Sequence, residues 1–115
     1  MDQLSTTFQA LADPTRRAIL AQLAHGERSV TDLAAPFDIS LPGISKHLKV
    51  LEHAGLISRG RDAQKRPCRL EVARFAEATG WLEPFRRRAE ANYRRLDALL
   101  NELKTGDTRE EGNGQ

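Results

Sequence analysis

One cysteine, one methionine, one tryptophan and one tyrosine occur in 115 residues, and aromatic side chains make up only 5%. A single thiol excludes an intrachain disulfide framework and a zinc site built from cysteines alone. No run approaches the roughly 20 consecutive apolar residues that a membrane span needs. The N-terminus lacks the basic-then-apolar order of a secretory signal, so a soluble, cytoplasmic chain with no membrane partner is expected. Glycine-rich phosphate loops, nucleophile–base groupings and metal-ligand clusters are missing too. An enzyme is therefore the weakest reading, and neither a metal nor a cofactor is expected. The length suits one domain with a modest core.

What is present is a charge asymmetry that the overall balance conceals. The net charge is only +2, yet residues 40–70 hold seven basic side chains against Glu52 and Asp62, a local charge of +5. The remainder carries 11 basic and 14 acidic residues. A concentrated basic patch suits a phosphate-contacting surface, because backbone contacts supply most non-specific affinity for DNA.

That basic stretch reads as a helix, a stop and a hairpin. Ser40 is a good N-cap, and Pro42 is tolerated in a first turn whose amides have no intrahelical partner. Ile44, Leu48 and Leu51 recur at i, i+4 and i+7 and form one apolar stripe. Gly55 stands where a left-handed cap falls, which predicts a helix end at His53 or Ala54. Opposite the stripe lie Pro42, Lys46, Lys49 and His53, with Ser45 beside them. Leu56 and Ile57 then begin a strand that Cys68, Arg69 and Leu70 can pair. Arg59, Arg61, Lys65, Arg66 and Arg69 fall on or near this hairpin. A helix followed by a basic hairpin is the layout of a winged helix-turn-helix, whose helix suits a DNA major groove.

The preceding segments supply the rest of that layout. Leu4, Phe8 and Leu11 share one helical face. Asp13 caps a helix opened by Pro14, which buries Ile19, Leu20 and Leu23 and stops at Gly26. Arg16 and Arg17 read as solvated arginines, with phosphate contact as the alternative. Ser29 begins the next helix, and Asp32 three residues on resembles a capping box. Leu33 and Phe37 face inward, while Pro36, at a cost of about 3 kcal/mol inside a helix, makes that helix short or kinked. Ile39 reads as a packing residue in the turn before the basic helix.

After a connector over residues 71–79 anchored by Phe75, a long helix is expected from about 81 to 104. Leu82, Phe85, Ala89, Asn92, Leu96, Leu99 and Leu103 recur with alternating spacings of three and four, an unbroken heptad seam. A seam this long, with a polar Asn92 able to fix register, predicts packing against a second copy, hence a homodimer. Pro84 is expected in the opening turn, and Arg86, Arg87, Arg88, Arg94 and Arg95 on a solvated face. Residues 1–104 are taken as one domain, and 105–115, without any apolar residue, as a disordered tail.

The strings LADPTRRAIL, SVTDLA and SLPGISKHLKVLEHAGLISR, followed by a basic wing, resemble the ArsR/SmtB family of winged-helix repressors over about residues 4–72. The resemblance implies a mostly α fold with a small β-hairpin and a C-terminal dimerisation helix. It also implies a homodimer that sits on pseudo-palindromic double-stranded DNA and blocks transcription. The base-reading positions it implies are Leu41, Pro42, Ser45 and Lys46. The chain departs from the family's metal sensors. Ser29, Thr31 and Ala34 occupy the positions where arsenic-type sensors place cysteines. His25, His47 and His53 all precede the terminal helix, where zinc sensors place Asp and His. A repressor without a metal inducer is therefore expected, and no residue pattern names another effector. His47 reads as a packed, hydrogen-bonded side chain. Two other functions compete. Cys68, near Arg66 and Arg69, would serve a thiol-sensing repressor if its pKa were lowered. A winged helix that binds protein instead of DNA is the other, against which the +5 patch argues.

Overall fold

The computed structural model describes residues 1–61 and 66–113, with side chains as far as residue 106. Its elements are α1 (Gln3–Leu11), α2 (Pro14–Leu23), α3 (Val30–Ala34), α4 (Leu41–His53), β1 (Ile57–Arg59), β2 (Cys68–Leu70), a 3-10 turn (Val72–Phe75) and α5 (Ala76–Asn113). The chain divides into two units, Met1–Thr79 and Gly80–Gln115.

In the first unit α1 to α4 each start on a side-chain cap. Asp2, Asp13, Ser29 and Ser40 accept from the amides of Ser5, Arg16, Asp32 and Gly43. Each satisfies an amide that the first turn leaves without a helical partner. The α4 stop is a Schellman motif. The Leu56 amide donates to the Leu51 carbonyl and the Gly55 amide to that of Glu52, with Gly55 at φ +78°. Leu51 and Leu56 are both fully buried, which supplies the apolar contact that accompanies this motif. Pro36 lies just beyond α3 and its C-cap Ala35, so the proline ends a five-residue helix instead of kinking a longer one.

Ile19, Leu33, Ile44, Leu48, Leu51 and Leu56 form the centre of the core, all with no exposed surface. Burying such a side chain favours folding by about 1.5–3 kcal/mol. Truncating one, Leu48→Ala for example, would cost roughly 2–5 kcal/mol. On α1, Thr7 and Ala10 are buried, while Leu4, Phe8 and Leu11 are only half-buried. The Gln3 side-chain amide ties the start of α1 to the α4 C-cap, donating to the Ala54 carbonyl at 2.9 Å. Ile39, expected to pack, is instead 37% exposed.

The hairpin strands run antiparallel, with Ile57 opposite Leu70, Ser58 opposite Arg69 and Arg59 opposite Cys68. Arg28 adds a third strand of one residue. Its amide and carbonyl both bond to the backbone of Cys68, at 3.2 and 2.8 Å. This ties the hairpin to the segment before α3.

Helix α5 has 38 residues and begins at Ala76, earlier than residue 81, with helical backbone reaching Asn113, beyond residue 104. Pro84, expected in the opening turn of this helix, is therefore interior and has no amide to give the Gly80 carbonyl. Its exposed face carries i,i+3 and i,i+4 ion pairs. Arg86 bonds Glu83 and Glu90, and Arg87 bonds Glu83. The Arg86 hydrogen bond, joined by Arg87, holds the Glu83 carboxyl down at about 2. Fully exposed pairs of this kind contribute little to stability.

Candidate nucleic-acid interface

The interface is built on α4 because its two sides differ in kind. Ile44, Leu48 and Leu51 are completely buried, so the helix cannot rotate without exposing its core face. That fixes the other side. Leu41, Pro42, Lys46 and Lys49 are exposed and Ser45 is half-buried. Packing against α3 and α2 orients the helix. Its N-terminal end is presented to solvent with Ser40 bonded to the Gly43 amide at 3.2 Å.

Behind this face, His47 is held by α2. Its Nδ1 lies 3.5 Å from Arg16 Nη1 and 3.8 Å from Asp13 Oδ2. His47 is thus a packed, bonded residue, as its position beside the apolar stripe suggested. Arg16 itself is not merely solvated. Its guanidinium donates to the Ala10 carbonyl at 2.7 Å and the Gln9 carbonyl at 3.0 Å. Arg17 donates to the Leu11 carbonyl at 2.7 Å. Both cap the C-terminal end of α1, where carbonyls lack helical donors and the helix dipole favours a cation. The sequence signal was available: two arginines a few residues after a helix whose last turn contains no basic side chain.

The wing arginines divide into occupied and open ones. Arg59 Nε donates to the Arg66 carbonyl at 3.2 Å, bracing the hairpin. Arg69 lies 3.7 Å from Glu27 and 3.8 Å from Glu71, so two carboxylates offset its charge. Glu71 also accepts from the Ser58 hydroxyl at 2.6 Å. Arg61 and Arg66 are exposed. Arg66 has φ +29°, a left-handed backbone at the exit of the tip. Lys65 lies outside the described residues.

Cys68 is completely buried at the base of the hairpin. Burial pushes its thiol up, and Arg59 and Arg66 only partly counter this. The lowered pKa required for a thiol sensor is contradicted, because desolvation penalises the thiolate more than the arginines favour it. Arg69, counted on for that effect, is engaged with its two carboxylates. Of the positions where arsenic-type sensors carry thiols, Ser29 has its hydroxyl committed to the Asp32 amide at 3.1 Å, and Ala34 is buried in the core. Among the described residues, no three His, Cys, Asp or Glu side chains stand close enough to hold a metal ion. Nor is any described helix long and apolar enough to cross a membrane.

The seam residues of α5 are all exposed. Leu82 is 44% exposed, Phe85 53%, Leu96 52%, Leu99 56% and Leu103 65%, with Ala89 and Asn92 open between them. Trp81 packs against Phe85 with ring centroids 5.0 Å apart and the planes tilted by 41°.

A short helix, a turn, a helix with one buried stripe, and a two-stranded wing define a winged helix-turn-helix protein. A family profile described as a helix-turn-helix domain matches residues 11–59. The transcriptional regulator Rv2034 of Mycobacterium tuberculosis is 40% identical over 77% of this chain and 83% of its own. The transcriptional repressor SdpR of Bacillus subtilis is 37% identical over 71% and 91%. Among solved structures, the ArsR family transcriptional regulator RHA00566 superposes with a TM-score of 0.70 at 42% identity, covering 77% of this chain and 98% of that one. A homodimeric winged helix-turn-helix DNA-binding domain from Mycobacterium bovis superposes with a TM-score of 0.61 at 28% identity, covering 73% and 78%. The chain belongs to the ArsR family of transcriptional regulators, a family of DNA-binding regulators and not of enzymes.

Proposed function

We propose that this chain is a cytoplasmic transcriptional repressor that binds a pseudo-palindromic operator as a homodimer and responds to no metal inducer. The observation that carries this reading is the exposed face of α4, Leu41, Pro42, Ser45, Lys46 and Lys49, beside the open wing arginines Arg61 and Arg66. A core-anchored helix offers base-reading groups in its first two turns, and the hairpin offers cations to the backbone. SdpR, described as a repressor, supports the direction of regulation.

The homodimer reading draws on the exposed seam, since a row of large apolar side chains in water favours association. An apolar hollow of about 400 Å³ in the first unit, lined by Leu11, Leu20, Leu70, Val72 and Phe75 among others, adds a second uncovered surface. The Mycobacterium bovis neighbour, described as homodimeric, points the same way.

The experiment is selection of bound fragments from random DNA, followed by titration of the recovered duplex against a scrambled one. A recovered inverted repeat bound at least a hundredfold more tightly than the scramble is the expected result. Zinc, cadmium or arsenite added under reducing conditions should leave that affinity unchanged. No binding to any duplex would leave the protein-interaction reading in its place. Release by a stoichiometric metal would overturn the metal-free part alone.

A further inference from the structure

Three apolar side chains stand open at the N-terminal end of α4. Ile39 is 37% exposed and Leu41 51% exposed, and Pro42 is exposed beside them. None is needed by the core, because Ile44, Leu48 and Leu51 already bury the inner face completely. A single exposed leucine is ordinary on a protein surface. Three within four residues, at the tip of a helix whose remaining exposed residues are Lys46, Lys49, Val50, Glu52 and His53, are not scattered singly.

The cluster is also built in place. A Cβ on Gly43 would meet Ile39 Cγ2 at 2.6 Å, so the absence of a side chain at 43 gives Ile39 its seat across the first turn. The Ser40 hydroxyl, which could have made this end polar, is occupied by the Gly43 amide. The tip of the helix is thus held apolar by two separate features.

In a recognition helix the N-terminal residues are those that reach base edges. The major groove presents donors, acceptors and one apolar group, the 5-methyl of thymine. An isobutyl side chain cannot bond the polar edges, and contact with a methyl removes apolar surface of both partners from water. Ser45 and Lys46, one turn on, are equipped for the polar edges.

We propose that Leu41 is a specificity-determining residue that reads the 5-methyl group of one thymine in each operator half-site. This rests on the DNA-reading role of α4 argued above and names the chemistry that the helix tip selects.

The test uses the full chain and the duplex recovered by selection. Each thymine of a half-site, and its symmetry mate, is replaced in turn by uracil, which removes only the methyl group. One position should weaken binding about fourfold per half-site, the worth of one buried methyl, while the others change little. At that position, 5-methylcytosine should bind more tightly than cytosine. Leu41→Ala should bind the thymine and uracil duplexes equally. Because Leu41 is exposed, its thermal unfolding should match the unmodified protein. The uracil scan on the unmodified protein does not depend on any variant folding. A half-site in which no uracil replacement matters overturns the inference while sequence-specific binding stands. So does a Leu41→Ala protein that keeps the thymine preference. A chain that selects no sequence overturns this inference and the repressor reading together.

Discussion

Arg16 Nη1 lies 3.5 Å from His47 Nδ1, so a side chain rooted in α2 touches α4. The same guanidinium holds the Gln9 and Ala10 carbonyls at the end of α1. One group therefore joins α1, α2 and α4. Charge-assisted bonds of this kind are worth more than neutral ones, and leaving the carbonyls without a donor adds to the loss.

Arg16→Met, which keeps the apolar stem, should lower the unfolding free energy by about 1–3 kcal/mol. Urea denaturation measures this. Affinity for random duplex should keep its salt dependence, because the guanidinium is committed to carbonyls. A salt slope reduced by about one unit with stability untouched would instead make Arg16 a phosphate contact.

Asp13 links this cluster to pH. The Arg16 amide holds the Asp13 carboxyl below the usual carboxylate range; desolvation opposes this in part, and the charges of His47 and Arg16 add smaller downward contributions. A depressed folded pKa means the stabilisation is complete above the unfolded value of about 3.9 and is lost as pH falls through the folded one. Asp2, held down by Ser5, acts in the same direction. Asp13→Asn should keep stability at neutral pH, since asparagine also caps, and should flatten the acid loss. Asp13→Ala should cost about 1 kcal/mol at neutral pH. Denaturation midpoints at neutral pH and below about pH 4 separate the two variants.

What could be read from the residues depended on how local the cause was. The α4 stripe, its Ser40 cap and its Gly55 stop are encoded within a few positions, and the helix ends at His53 as expected. The strand pairs of the wing were legible because glycine, proline and charge bracket two short apolar runs. The Arg28 bridge and the burial of Cys68 arise from segments distant in sequence that fold together, whereas the Arg16 and Arg17 caps reach back only to the end of the preceding helix. No periodicity reports them. Thr7 and Ala10 face inward while the larger Leu4, Phe8 and Leu11 stay half-buried, which the spacing of the apolar residues does not report. Ile39 went the other way: its hydrophobicity suggested packing, and Gly43 supplies a place where it stays partly open.

The seam predicts a dimer whose loss should weaken operator binding. Leu96 and Leu99 are 52% and 56% exposed in the single chain, on a helix without other apolar cover at those positions. Replacing both with Glu should give monomers by sedimentation. Operator affinity should fall steeply, because two half-sites then no longer bind as one linked event. The first unit, whose core lies within Met1–Thr79, should retain its thermal transition. An intact dimer in this variant would move the interface elsewhere.

The division of labour between helix and wing can be resolved by two kinds of variant. Lys46 is exposed in the second turn of α4, one turn from the cap, and its ammonium can donate to guanine O6 or N7. Such a contact discriminates against the wrong base by about 1–3 kcal/mol. Arg61 and Arg66 flank the wing tip and are open to solvent, in contrast to Arg59 and Arg69, which have partners in the protein. Lys46→Ala should therefore reduce the ratio between operator and scrambled duplex. Arg61→Ala and Arg66→Ala should weaken both duplexes by similar factors, and each should lower the salt slope by about one unit. Arg69→Ala should do less than either, because Glu27 and Glu71 already offset its charge. Titrations of the four variants against both duplexes over a range of salt measure all of this. A wing variant that altered base preference while Lys46→Ala did not would reverse the roles of reader and anchor.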